Sequence, residues 1–314
     1  MTNNFAISLI LLSKLCIIFI MKKCIIIINE LSGNSNRVNS DTLKNVFGDG
    51  FEVETFAITQ KTVLSDLSEY DRIVFCGGDG TLNGIMNCSK KSDAEIIYCP
   101  SGTLNELATG NSNRSSYVLR DAGKADNKLF SYVFACGIFT PLGYIVKNKN
   151  KKKFKMLAYV AKVVSQYKLY DIGAKLEIDG KAEDGRYTLI MAIDSPKCFG
   201  FKFNKMFKLD DGLLHVLTIK TPKHRGLLGK IAIFFPLFRA FFIGFKKPYR
   251  SKRMFFDKCE HLNVELCHET DFCADGEKMT MDGKFDVQPV RLQNPVQIVS
   301  QRDIVKMAKE NMKY

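Results

Sequence analysis

Three segments of this chain combine residue types that handle phosphate. Gly77-Gly78-Asp79-Gly80-Thr81-Leu82-Asn83 sets three glycines, a carboxylate and a hydroxyl directly after the apolar run Ile73-Val74-Phe75-Cys76. Glycines let a backbone approach an anion with no Cβ in the way, and successive N–H groups form a cradle for it. The helix expected next, with Leu82, Ile85 and Met86 at helical spacing, adds the partial positive charge of its N-terminus. Asp79 would repel bare phosphate but suits a magnesium ion or that ion's water. The same segment also fits a tight strand–helix turn with Asp79 as N-cap. Pro100-Ser101-Gly102-Thr103-Leu104-Asn105 repeats the pattern after Ile96-Ile97-Tyr98-Cys99: buried run, glycine, hydroxyl, amide, helix. Two such loops on neighbouring strand ends can grip one polyphosphate. The third loop, Asn29-Glu30-Leu31-Ser32-Gly33-Asn34, follows Cys24-Ile25-Ile26-Ile27-Ile28.

Positioning these loops calls for a sheet. The runs 24–28, 73–76 and 96–99 are continuously apolar, the pattern of strands covered on both faces. Phe51–Ile58 alternates and reads as a further strand, and Thr62–Tyr70 reads as a short helix. Strands alternating with helices imply a parallel sheet, whose functional loops sit at the carboxyl ends of the strands. All three loops leave such ends. From about residue 130 the rhythm changes. Strand-like runs at Lys175–Ile178, Tyr187–Ile193, Leu213–Ile219, His261–Leu266 and Lys284–Pro289 are separated by Asp-Gly turn signals, which predicts a mainly antiparallel β region. Helical stretches are expected at Phe154–Tyr167 and Leu227–Phe245, and a strand followed by a helix over 296–314.

Gly-Gly-Asp-Gly-Thr-Leu-Asn at 77–83 together with Pro-x-Gly-Thr-x-Asn at 100–105 resembles the diacylglycerol kinase catalytic-domain family, which includes diacylglycerol, sphingosine and bacterial lipid kinases. Asn29-x-x-Ser32-Gly33 is similar to that family's nucleotide loop, Lys208-Leu209-Asp210-Asp211-Gly212-Leu213 to its metal-binding stretch, and Asp275-Gly276-Glu277 to its catalytic motif. The resemblance implies an α/β fold of the NAD kinase and diacylglycerol kinase kind: a three-layer N-terminal domain with a mainly parallel sheet, and a C-terminal antiparallel β-sandwich-like domain. It divides the chain into 21–130 for nucleotide, 131–290 for lipid, and 291–314 packing back on the first domain. It implies ATP and Mg2+ as cofactors and transfer of the γ-phosphate to a lipid hydroxyl. Asn29, Ser32, Gly33 and Thr59 (or Thr62 in its place) are then expected at ATP, with Gly77, Gly78, Asp79, Gly80, Thr81, Leu82, Asn83, Gly102, Thr103 and Asn105 around its phosphates. Asp211 and the main-chain oxygens of Lys208 and Leu213 are expected at a structural metal. Asp275 or Glu277 is expected to accept the proton of the attacking hydroxyl, with Asp79 as a further catalytic carboxylate. Read without the family, Asp275-Gly276 is a type I′ hairpin turn. The chain departs from the pattern at Glu30, Gly84, Glu106 and Thr140, where proline, glutamate, aspartate and an acidic residue are usual.

Composition narrows the partners. The 314 residues carry 46 Lys+Arg against 33 Asp+Glu, a formal charge of +13 that favours an anionic partner. No interleaved aromatic–basic motif of the RNA-binding kind is present, so nucleic acid is not expected and an anionic membrane surface is. Ten cysteines without CxxC pairs fit reduced thiols, hence a cytoplasmic protein peripheral to the membrane. A homodimer is left open. The run Lys147–Lys153 fits a solvated loop or attraction to lipid headgroups. Phe234, Phe235, Phe238, Phe241, Phe242 and Phe245 within 227–245 fit an acyl pocket, an interfacial helix or core packing. Residues 1–20 form an apolar extension before Met21, with a spurious upstream start and a membrane anchor as its two readings. The competing functions are an NAD kinase-like small-molecule kinase and a non-catalytic anion-binding relative.

Overall fold

The computed structural model describes residues 21–33, 39–59, 64, 66–102, 105–110, 116–138, 169–224 and 226–312. The apolar extension 1–20, Thr103, Thr140, the basic run 147–153 and the helix expected over 154–167 lie outside the described residues.

Strand β1 (Lys22–Asn29) is the isoleucine run. Ile25 and Ile27 face one buried cluster while Cys24 and Ile26 face another. Being covered on both sides, the strand has no polar face to show, and its sequence reads as uninterrupted apolar. Helix α1 (Ser40–Phe47) is capped by Asn39, whose side chain accepts the Thr42 N–H at 2.9 Å. Strand β2 (Phe51–Ile58) runs parallel to β1 at the sheet edge, half exposed and therefore alternating. Strand β3 (Arg72–Gly77) pairs in parallel with the other side of β1, and β4 (Glu95–Pro100) in parallel with β3. Helix α2 (Asp79–Asn87) follows β3, and the short helix α3 (Glu106–Gly110) follows β4.

The helix expected over Thr62–Tyr70 is not formed at its C-terminal end. Asp66–Leu67 is a two-residue strand paired in parallel with Ser89–Lys90. The Asp66 carboxylate accepts the Ser68 N–H at 2.9 Å, a local bond that competes with helix.

The second half is antiparallel. Strands β5 (Ser116–Ala125), β6 (Val133–Gly137), β7 (Ile172–Ile178), β8 (Gly185–Ile193) and β9 (Leu214–Lys220) precede helix α4 (Gly226–Phe238), which continues as a π-helical turn, Arg239–Ile243. Strands β10 (Met254–Cys259), β11 (Leu262–Leu266), β12 (Thr270–Ala274) and β13 (Glu277–Met281) follow. Strand β8 pairs with β6, β7 and β9, β12 pairs with β6 and β13, and every one of these pairings is antiparallel. The strands enclose their own core, including Phe134, Tyr187 and Phe272.

Strand β14 (Lys284–Val299) is shared by both halves. Its start pairs antiparallel with β11 (Leu262↔Val287), its end runs parallel to β4 (Val296↔Ile96), and β5 lies antiparallel along much of it. The Asn294 amide locks the crossing, donating to the carbonyls of Lys91, Ser92 and Ala94 at 2.9, 3.1 and 3.0 Å. Helix α5 (Gln301–Asn311) then returns Ile304 to the cluster that holds Cys24, Leu43 and Val74. The first half is thus an α/β sandwich, with α1 and α5 on one face of the parallel sheet.

Candidate active site

The loops at the ends of β1, β3 and β4 are tied to one another. The Asn29 side-chain amide donates to Thr81 Oγ1 at 2.8 Å, and Ser101 Oγ donates to Ser32 Oγ at 3.2 Å. The Ser101 and Gly102 N–H groups donate to the Gly77 carbonyl at 2.7 and 3.0 Å. Close approach requires the glycines. A Cβ on Gly102 would lie 2.6 Å from Gly78 Cα and 2.4 Å from Asn105 Oδ1. One on Gly77 would lie 2.3 Å from Thr81 Oγ1. Asn105 has a positive φ of 45° and donates through its side-chain amide to Gly102 O at 3.0 Å, closing the second loop on itself. Leu82 is wholly buried in the core, so only its backbone faces the loop. Thr59 is exposed just beyond β2, next to Ile58, whose carbonyl accepts the Glu30 N–H at 3.2 Å. Gly33 is half-buried and Gly80 opens helix α2.

Asp79 is not the N-cap of its own helix; Gly78 is. The Asp79 carboxylate reaches across to α3, where Oδ2 accepts the Glu106 N–H at 3.0 Å. Its other oxygen, Oδ1, is buried with no hydrogen bond among the described residues. Burial pushes the Asp79 carboxyl up to about 7, with the Glu106 and Asp275 carboxylates adding to the rise. A buried acceptor left unpaired is costly, and this one suits a hard cation or its water.

Asp275 and Gly276 form the two-residue turn between β12 and β13, with φ of 50° and 88°, the left-handed pair that a type I′ turn needs. The turn also holds a buried anion. The Asp275 carboxylate accepts the N–H groups of Ser131, of Tyr132 at 2.9 Å and of Val133 at 3.0 Å, and the Asn83 side-chain amide at 3.0 Å. Burial raises the Asp275 carboxyl while these donors pull it back down. Glu277, two residues on, is exposed.

The expected metal loop is rich in oxygen. Asp211 meets Lys258 Nζ at 3.4 Å, Asp210 holds Arg120 at 3.2 Å, and Asp121 accepts the Gly212 N–H at 2.9 Å. Burial, then the crowding of Asp210 and Asp211, raises Asp121, and buried Asp194 is raised well above the carboxylate range. Such a crowd of carboxylates has the donor chemistry that a divalent cation takes. Among the described residues no three His, Cys, Asp or Glu side chains are grouped to hold a metal by themselves.

Lys197 escapes a reading of the sequence. Its ammonium lies 3.6 Å from buried Glu106, whose Oε1 accepts the Gly200 N–H at 2.6 Å. Asp121 and Asp194 were also invisible in advance. No motif marks these positions.

Comparison with known proteins agrees with this geometry. The chain resembles the crystal structure of a diacylglycerol kinase from Bacillus anthracis str. Sterne with a TM-score of 0.56 at 17% identity, over 88% of this chain and 96% of that one. It is 24% identical over 315 residues to a diacylglycerol kinase of Staphylococcus aureus (strain bovine RF122 / ET3-1), covering 90% of this chain and 94% of the relative. Residues 23–118 match the model of the diacylglycerol kinase catalytic domain. Fold and site therefore define an enzyme of the lipid kinase class. Residues 23–118 thus carry a diacylglycerol kinase catalytic domain.

Proposed function

We propose that this kinase transfers the γ-phosphoryl group of ATP to a hydroxyl of diacylglycerol or a closely related lipid. The observation that carries the reading is the bonding of three strand-end loops and the Asp275 turn to one another around helix α2, whose first residue, Asp79, is a buried carboxylate with one oxygen unpaired among the described residues. Residues 21–130 hold the nucleotide, 131–290 the lipid, and 291–314 brace the first part. Asn29, Ser32, Gly33 and Thr59 contact ATP, and the backbone of 77–83 with Gly102, Thr103 and Asn105 surrounds its phosphates. Asp79 would hold a magnesium ion supplying positive charge to the phosphate oxygens, and Asp211 with the Lys208 and Leu213 main chain would hold a second. Asp275 spends its lone pairs on four donors, so it fixes the turn. Glu277 is the base: it takes the proton as the lipid oxygen bonds to the γ-phosphorus and the bridging oxygen leaves with ADP.

A screen of lipid acceptors with ATP, read by mass spectrometry, tests the assignment. A phosphorylated diacylglycerol is the expected product, lost about a hundredfold in rate in Glu277→Gln. Absence of phosphorylated lipid from every acceptor overturns it.

A further inference from the structure

Helix α4 and its π-helical extension are apolar on both sides. Ile233, Leu237, Ala240 and Phe241 are buried against the core, the pattern of an ordinary packed helix. The opposite face is equally apolar yet open: Leu228 is 67% exposed, Phe235 66% and Phe242 61%, with Ile231, Phe234 and Phe238 beside them. The rings form one surface, Phe234 stacking on Phe238 at 5.9 Å and Phe238 on Phe242 at 5.2 Å. Arg239, next to Phe238 in the chain, turns away from this stripe. Its guanidinium sits 4.9 Å from the ring centres of both Phe245 and Tyr249 and donates to the Gly244 carbonyl.

Three further observations indicate what covers the face. From Asp211 to Asp257 the intervening chain carries ten Lys or Arg and no Asp or Glu, and the exposed members Lys223, Lys230, Lys246 and Lys247 flank the apolar stripe. Such a basic rim around exposed aromatics matches an anionic bilayer surface. No helix among the described residues is long and apolar enough to cross one. The face is also wired to the site. Phe242 meets Phe201 at 5.1 Å, the adjacent Gly200 N–H holds Glu106, and the Glu106 N–H holds Asp79.

We infer that the Phe235–Phe238–Phe242 face of α4 is a membrane-docking surface, which inserts its aromatic side chains among the lipids of an anionic bilayer and brings the 195–203 loop and the active site to the membrane. The inference rests on the lipid-acceptor reading above for its purpose, but not for its test.

The chain contains no tryptophan, so Phe235→Trp gives a single indole reporter in the full protein. With phosphatidylglycerol/phosphatidylcholine vesicles its emission should shift to the blue and be quenched by brominated acyl chains. In flotation, Phe235→Ser/Phe242→Ser should weaken vesicle binding at least ~tenfold. Lys246→Ala/Lys247→Ala should weaken binding to anionic vesicles about tenfold or more and change little with neutral ones. An unshifted, unquenched indole, or binding within twofold of the parent in the Phe variant, overturns the inference. So does a Phe variant that splits a dimer by light scattering while vesicle binding persists, which would make the face an interface between copies. Phosphotransfer to lipid without vesicle binding through this face removes the surface alone. Vesicle binding through it without phosphotransfer to any lipid removes the acceptor reading alone.

Discussion

The side-chain amide of Asn83 donates to the carboxylate of Asp275 at 3.0 Å, joining residues 192 positions apart. It fastens the helix of the first phosphate loop to the hairpin turn of the antiparallel half, and Asp275 is in turn clasped by three backbone N–H groups. The turn is thereby a structural anchor for the cleft as well as part of a motif.

Removing that anchor should unfold more than it unbinds. Asp275→Ala leaves three buried N–H groups without an acceptor and should lose about 3–5 kcal/mol in urea unfolding. Asn83→Ala removes one bond to a charged group and should lose about 1.5–3 kcal/mol. Glu277→Gln, a near-isosteric change on an exposed side chain, should leave the unfolding free energy within about 0.5 kcal/mol of the parent. Equal stabilities for all three would separate Asp275 from the role assigned to it.

Asp79 sets a pH dependence. The folded protein keeps its proton to about 7, while the unfolded chain releases it near an ordinary aspartate value of about 4. The contribution is therefore full below about pH 4 and is lost as pH rises through 7, at most on the order of 4 kcal/mol. Glu106 and Asp275, raised by burial as well, act in the same direction. Without divalent cation, Tm should fall between pH 5 and 8, and the fall should shrink in Asp79→Asn. Added magnesium should raise Tm more at pH 8 than at pH 5. Thermal scans across this range check both signs.

Much of this was legible in the residues. The runs 24–28, 73–76 and 96–99 were plain because strands buried on both faces have no reason to alternate. The glycine loops announced close approach, which Gly102 and Gly78 fulfil. Less visible was what depends on distance along the chain. Val133–Gly137 and Met254–Cys259 are strands because of partners far away. The Lys197–Glu106 pair has no local signature, and the Asp275 turn gave no sign of the N–H groups awaiting it. Thr62–Tyr70 misled because an Asx bond at Asp66 won over helical spacing.

The pair at Glu106 predicts a coupling. Lys197→Met leaves the Glu106 charge buried and alone, and should cost about 3–5 kcal/mol. Lys197→Met/Glu106→Gln removes both charges and should recover at least half of that loss. A double-mutant cycle by denaturant unfolding measures the coupling, and additive losses would contradict the pairing.

Two glycines should respond in opposite ways to one methyl group. Gly102→Ala drives its Cβ against Gly78 Cα at 2.6 Å, and should weaken binding of a non-hydrolysable ATP analogue at least ~tenfold by prising the loops apart. Gly84→Ala, on the same phosphate-loop helix α2, meets nothing within 4 Å. It should stabilise by about 0.5–1 kcal/mol with nucleotide affinity unchanged. Calorimetric titration of both variants decides it.

The most direct test offers γ-labelled ATP to the full chain with diacylglycerol in mixed micelles and NAD in the same reaction. The account predicts label in the lipid phase, dependent on magnesium and abolished by Asp79→Ala. Label found only in NAD, or lipid labelling that survives loss of the Asp79 carboxylate, would contradict it.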